Sequence, residues 1–325
     1  MGAKYTLSKN PMIPSERSHL FATAITHPGM TGKSNEDRYS VSAYRLDDEN
    51  NTPSVFAILA DGIGGHLAGE VAAEIAVDTI SHAVAMSDGK NPQEELKHAI
   101  IQAGDAVRQQ SGRDSEQRGM GSTCACAWVI DHKLYTASVG DSRIYLLRDG
   151  RIRQLTVDHT WVQEALEHGI LTPDQARNHP RAHIIRRYLG SQKEVVPDLR
   201  LKLMPDESDE QALANQGMRL LPGDELVLCS DGLSDLVSDA EILDAFRGNS
   251  LSDALSSLVE LANKNGGHDN ITILALKVPG DDDLSPPARK SEQPELPPEL
   301  LPWLIGGSAL LAVLLLLVFV ILFFY

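Results

Sequence analysis

At 325 residues, 42% hydrophobic and 23% charged, the chain has a globular composition and enough length to bury a sizeable core. Its 29 basic against 45 acidic residues give a formal net charge of −16, which argues against nucleic acid as the main partner. The three cysteines, Cys124, Cys126 and Cys229, show no C-x-x-C spacing and read as buried thiols, not as a disulfide framework or structural zinc site.

Residues 1–17 lack the apolar core of a signal peptide and read as an N-terminal extension. From residue 18 to 278 short apolar or alternating runs predict strands at LFATAITH, RYSVSAYRL, VFAILAD, STCACAWVI, KLYTASVG, SRIYLLRDG, RIRQLT, DELVLCSD and NITILALKV. Asp131-His132-Lys133 and Asp149-Gly150 are turn signals, so several of these strands pair as antiparallel hairpins. Helical spacing is expected over Ala68–Ala85, Pro92–Gln110, Thr160–His168, Thr172–Asn178, Asp239–Phe246 and Leu251–Asn263, the last capped by Ser250. Helices fall in pairs between groups of strands, which favours a layered α+β domain over a doubly wound sheet.

Residues 279–301 are rich in proline and charge and form a linker, not a core. The run from Leu300 to Tyr325 carries no charge and predicts a transmembrane helix over 302–325, with Trp303 and Tyr325 near its ends. Arg289 and Lys290 precede it, which places the main domain on the cytoplasmic side of the cell membrane, held by a C-terminal single-pass anchor.

Asp-Gly occurs four times, at 61, 88, 149 and 231. As a dipeptide it is mostly a turn. Asp88-Gly89 lies in the polar MSDGKNP and Asp149-Gly150 joins two strands, whereas Asp61 and Asp231 each close a strongly apolar run. A carboxylate at the end of a buried strand is costly unless a cation or hydrogen bonds satisfy it. Asp269, Asp141 and the Asn35-Glu36-Asp37 group also border strand-like runs. Oxygen donors of this kind suit hard divalent ions such as Mg²⁺ and Mn²⁺. The patterns of a nucleotide cradle are not met, since G-x-G-x-x-G from Gly62 would need glycine at Leu67 and no Gly-Lys-Ser/Thr follows, although a phosphate at the N-terminus of the following helix stays physically open.

In chain order GKSNEDRY, LADGIGGHLAGEVAA, GMGSTCACAWV, ASVGDSRIYLLRDG, QLTVDHTWVQEALEHGILTPDQARNHP, IIRRYLG, LCSDGLSD and GGHDNITILAL resemble the motifs of the PPM family, the metal-dependent 2C-type serine/threonine protein phosphatases, in their bacterial form. The resemblance implies an αββα sandwich of two antiparallel sheets flanked by helices. It implies that Asp61 bridges two Mn²⁺ or Mg²⁺ ions with the Gly62 carbonyl completing one of them, and that Asp231 and Asp269 hold the second. Asp141, with Asp231, corresponds to ligands of a third, weaker ion, and Glu36 and Asp37 orient waters from behind. Asp61, Asp231 and Asp269 are then the catalytic set for hydrolysing phosphoserine and phosphothreonine in proteins. The expected partners are phosphorylated proteins, serine/threonine kinases and their substrates, and the lipid bilayer through the C-terminal helix. The segment from Thr156 to Arg187 corresponds to a mobile flap beside the cleft.

One departure is visible. Many family members carry an arginine three residues after the position of Gly29, where this chain has Gly32 followed by Lys33. Lys33 offers the substrate phosphate charge without bidentate geometry. His66 aligns poorly with the eukaryotic acid histidine and reads as structural. The rival to an enzyme is a silent phosphatase-like module that binds a phosphoprotein, and such a module should have lost Asp61, Asp231 or Asp269, all of which are present.

Overall fold

The computed structural model describes residues 11–64, 67–176 and 179–280. The chain runs through β1 (Ile13–Pro14), β2 (Phe21–His27), β3 (Arg38–Arg45), β4 (Pro53–Ala60), β5 (Gly62–Ile63), α1 (Leu67–Ala85) and α2 (Pro92–Arg113). Next come β6 (Gly121–Ser122), β7 (Cys124–Ile130), β8 (Lys133–Val139), β9 (Arg143–Arg148) and β10 (Arg151–Gln154), then α3 (Trp161–Glu167), α4 (Pro173–Ala176) and α5 (Asp209–Ala214). The last group is β11 (Met218–Arg219), β12 (Glu225–Cys229), α6 (Asp231–Ser234), α7 (Asp239–Phe246), α8 (Leu251–Lys264) and β13 (Ile271–Lys277).

Two antiparallel sheets carry the fold: a six-stranded one in the order β1-β3-β4-β7-β8-β11 and a five-stranded one in the order β10-β9-β12-β13-β2. Strand β4 shows how they stack. Its alternate residues Phe56, Ile58 and Ala60 pack with Ala72, Ala76 and Ile80 of α1. Val55, Ala57 and Leu59 point the other way, onto Ile144, Leu228 and Leu274 of the second sheet. The second sheet repeats the pattern, with Val227, Ile271 and Ile273 facing Leu255, Leu258 and Ala262 of α8. Because both faces of the inner strands are covered, they read as unbroken apolar runs instead of alternating ones. The layers are helix, sheet, sheet, helix.

Every strand run expected from the sequence forms a strand, and Ser250 accepts from the Asp253 N–H as the cap of α8. All three cysteines are buried and unpaired. The structure also corrects the sequence reading in several places. The DELVLCSD run ends at Cys229, and Asp231 opens the short helix α6. STCACAWVI divides at Thr123 into β6 and β7. Within the N-terminal extension, Ile13 and Pro14 form a strand that was not expected, pairing with Arg45 and Tyr44 of β3. α2 reaches Arg113, and α5 lies where no helix was expected.

Among the described residues no helix is long and apolar enough to cross a membrane. The expected transmembrane helix over 302–325 and nearly all of the 279–301 linker lie outside the described residues, as does His66.

Candidate metal centre

Several turns at one end of the sandwich bring carboxylates together. Asp61 follows β4 directly, and its backbone N–H donates to Thr123 Oγ1 at 2.9 Å. Its carbonyl accepts from the Thr123 N–H at 2.9 Å and from Ser122 Oγ at 3.0 Å. Thr123 Oγ1 also lies 2.7 Å from Ser142 Oγ, next to Asp141 in the turn between β8 and β9. The break in the strand at Thr123 therefore ties the Asp61 turn to the Asp141 turn. Asp231 and Asp269 lie at the adjoining ends of β12 and β13, which are paired from Cys229–Ile273 to Glu225–Lys277.

Close backbone contacts fix these turns. A Cβ on Gly62 would collide with the Gly69 carbonyl and stand 2.8 Å from the Glu36 carbonyl oxygen. One on Gly232 would collide with the Asn270 carbonyl. The Asn270 side chain accepts from the Glu36 N–H at 2.8 Å and donates to the Pro28 and Ser34 carbonyls, each at 3.1 Å. Asn270 thereby locks the loop carrying Lys33, Glu36 and Asp37 against the turn that carries Asp269.

The carboxylates are poorly compensated. Asp37 is 2% exposed; Ser230 Oγ donates to its Oδ2 at 2.8 Å, and its Oδ1 has no partner. Asp231 Oδ1 is likewise buried without a partner. Burial first, then the neighbouring Asp37, Asp231, Asp141 and Asp269, pushes the Asp61 carboxyl well above the usual range. Burial, then Asp141, Asp235, Asp269 and Asp37, does the same to Asp231. Asp37 is raised to about 6, mainly by burial, and Asp141 to about 7, by burial and then Asp158 and Asp235. Burial and mutual repulsion thus disfavour the ionised form of all four carboxyls, and a cation among them would offset both.

The donor set is oxygen throughout, which suits Mn²⁺ or Mg²⁺. Among the described residues no group of three or more His, Cys, Asp or Glu side chains forms a ready ligand cage. A Mg²⁺-type site keeps several waters and uses one or two carboxylates per ion. The unpartnered Asp231 and Asp37 oxygens and the mutually repelling carboxylates fit such ions.

Two depressions open here, with Asp269 lining one and its neighbour His268 the other. The first, of about 550 Å³, is lined by Lys33, Glu36, Asp61, Gly62, Asp269 and Asn270, among others. The second, of about 660 Å³, is lined by Asp141, Asp158, His183, Asp231, Asp235 and His268, among others.

The family model described as Protein phosphatase 2C matches residues 30–271, which contain every one of these carboxylates. This chain belongs to the protein phosphatase 2C family. It is 36% identical over 247 residues to "Serine/threonine protein phosphatase PstP" of Mycobacterium tuberculosis, a match covering 74% of this chain and 45% of that relative. The chain thus spans under half the length of that relative. A match at 35% identity to "Protein phosphatase PhpP" of Streptococcus pneumoniae covers 72% of this chain and 89% of the relative. The crystal structure of the M. tuberculosis phosphatase PstP/Ppp superposes with a TM-score of 0.68 at 32% identity, covering 80% of this chain and 99% of that one. A structure of the PstP catalytic domain in complex with two manganese ions superposes with a TM-score of 0.64 at 31% identity, covering 79% and 97%.

Within this 2C-type domain the expected site residues Asp61, Gly62, Asp141, Asp231, Asp269, Glu36, Asp37 and Lys33 all line or underlie the two depressions. Lys33 is exposed at the rim of the Asp61 depression. Gly32 has φ +74°, a left-handed conformation in which an arginine would be strained, so this loop is built for glycine there.

Other contributors were not singled out from the sequence. Asp235 lies one helical turn beyond Asp231, and His183 Nδ1 meets its Oδ2 at 2.7 Å. Arg143 pairs with Asp158 at 2.7 Å beside Asp141. Arg38 bonds to Glu70 in the first turn of α1 and to the Asp37 carbonyl at 2.7 Å. A carboxylate four residues after Asp231 is visible in LCSDGLSD, but only the turn of α6 brings it to the same face.

Proposed function

We propose that this chain is a Mn²⁺- or Mg²⁺-dependent phosphatase that hydrolyses phosphoserine and phosphothreonine in proteins. The observation that carries the reading is the set of crowded aspartates, Asp37, Asp61, Asp141 and Asp231, with two buried oxygens left unpartnered. Its relatives named as serine/threonine phosphatases, and the relative solved with two manganese ions, support it.

Asp61, the Gly62 carbonyl, Asp231 and Asp269 would hold two ions, and Asp141 with Asp231 a third. When bound, such ions supply an activated water and neutralise the phosphoryl oxygens. The protein's own residues do the rest. Asp37 lies behind the ligands, accepting from Ser230 Oγ at 2.8 Å, Glu36 lines the Asp61 depression, and both would orient waters there. Lys33 at the rim attracts the substrate phosphate as a point charge. The cysteines take no part, since all three lie in the core.

The domain boundaries proposed are 18–278 for the phosphatase, 279–301 for the linker and 302–325 for a membrane helix. This places the catalytic domain at the cytoplasmic face of a membrane, opposing serine/threonine kinases there. The uncharged Leu300–Tyr325 run supports the membrane helix, and Arg289 and Lys290 before it support the cytoplasmic side. A silent phosphoprotein-binding module is the second reading, favoured only by glycine at position 32.

Release of inorganic phosphate from a phosphothreonine peptide by the full chain in Mn²⁺ tests the proposal. Turnover is expected, with near-complete loss in Asp231→Asn. No turnover in the wild type would point to the silent module, and full turnover in the variant would remove Asp231 from the metal set.

A further inference from the structure

The turn that carries Asp141 is clasped by the segment that leaves β10. Thr156 Oγ1 accepts from the Ile144 N–H at 3.1 Å, and Asp158 takes the Arg143 guanidinium at 2.7–3.1 Å. The third clasp is at His159, where two bonds meet one residue. The His159 N–H donates to the Gly140 carbonyl at 2.9 Å, and the Gly140 N–H donates to His159 Nδ1 at 2.9 Å.

Gly140 has little freedom to move. Its φ is +104°, and a Cβ there would stand 2.6 Å from the Thr123 side chain, the same side chain that holds the Asp61 N–H. The residue before Asp141 is therefore pressed between Thr123 on one side and His159 on the other.

The far side of the ring is equally committed. Because Nδ1 receives an N–H, the ring proton lies on Nε2, which donates to Asp198 Oδ2 at 3.1 Å. The His159 and Asp198 side chains are only 4% and 6% exposed. Burial alone would raise the Asp198 carboxyl, but His159 and the guanidinium of Arg200 hold it well below the usual carboxylate range. Arg200 bonds Asp198 through Nε at 2.9–3.0 Å and Nη2 at 2.6 Å, and its Nη1 reaches Asp209 at 3.0 Å and Glu167 of α3 at 3.8 Å.

We propose that His159 is a positioning residue for the Asp141 carboxylate. Its Nδ1 fixes the Gly140 peptide and Asp198 fixes the ring, so the affinity of the ion held by Asp141 depends on this histidine although it touches no ligand atom. The inference rests on the reading of Asp141 as a metal ligand. Groups that orient ligands from behind typically change metal affinity by about 10–100-fold.

The two ends of the ring can be tested separately with one functional group. In His159→Asn the amide oxygen occupies the place of Nδ1 and can still accept from Gly140. In His159→Gln the amide reaches the place of Nε2 and Asp198, leaving the Gly140 N–H unmet. Mn²⁺ binding to the full chain, followed by electron paramagnetic resonance of the free ion, reads the effect without turnover. The weakest binding step should be about 10–100-fold weaker in His159→Gln and close to wild type in His159→Asn, with the tighter steps unchanged in both.

Equal isotherms for the two variants would overturn the proposal, and so would unfolding of both by circular dichroism, which would make the ring a core element alone. Asp141→Asn separates the two layers of the argument. If it removes the weak step while His159→Gln does not, only the role of His159 fails. If it leaves every step intact, Asp141 is no ligand, and both readings fall.

Discussion

The same dipeptide does two different jobs in this chain. At Asp149-Gly150 both residues have positive φ, +52° and +68°, and the pair closes the β9–β10 hairpin between Arg148 and Arg151. Nothing lies within 4 Å of where a Gly150 Cβ would be, so glycine is there for its backbone angle. At Asp61-Gly62 and Asp231-Gly232 neither glycine has a positive φ, and each instead lies against another backbone, the Gly69 and Asn270 carbonyls. Here glycine is present because there is no room for a Cβ. The aspartates differ in step: Asp149 is exposed at a hairpin tip, whereas Asp61 and Asp231 crowd into a cluster of their own charge. A turn is specified by dihedral angle, and a site by close approach and uncompensated charge.

Charge removal should separate the two regions most. Asp61→Asn and Asp231→Asn are expected to lower kcat by about 10³-fold or more, since on the proposed function each would withdraw a ligand from ions that contribute several kcal/mol. Asp149→Asn should leave phosphate release unchanged, because asparagine tolerates the left-handed conformation. Comparable losses at positions 61 and 149 would break the distinction.

Alanine at the glycines sharpens it. Gly232→Ala forces a methyl into the Asn270 carbonyl and should cost about 1–3 kcal/mol in urea unfolding, with a fall in kcat as Asp231 shifts. Gly150→Ala should cost about 1–2 kcal/mol through its backbone angle alone, with kcat intact. A loss of kcat in Gly150→Ala would show that the hairpin is no mere turn.

A pH scan of the metal-free protein probes the site region next. Asp37 and Asp141 have folded values raised to about 6 and about 7 from the ordinary 3.8. Groups raised on folding favour the folded state below the unfolded value and lose that contribution as pH rises through the folded one. With chelator present, Tm should therefore fall between about pH 4 and 7, and saturating Mn²⁺ should reverse the fall. A chelated Tm that is flat or rising across that window would contradict the crowding. The smallest effect is expected at the exposed rim, where Lys33→Ala should raise KM by up to about fivefold with kcat little changed. An unchanged KM would return Lys33 to ordinary surface.

The inner strands were legible because burial on both faces leaves long apolar runs, as in β4 and β13. The aspartates at their ends stood out for the same reason, as charge set directly against an apolar run. What the sequence could not show depends on contacts between distant segments. The pairing of Gly62 with Ser122 makes a two-residue sheet with no local signal. The helix that begins at Asp231 is a single turn, too short for periodicity, and it alone brings Asp235 beside Asp141. The bracket of His159 around Gly140 joins residues whose neighbourhood exists only once β8, β9 and the chain after β10 have folded together.

The central claim is that the crowded aspartates are a site for catalytic divalent ions. Phosphate release from a phosphothreonine peptide by the full chain, measured in chelator and again after Mn²⁺ is restored, tests it most directly. Turnover should vanish in chelator and return with Mn²⁺ or Mg²⁺; turnover that persists at full rate in chelator would contradict the account.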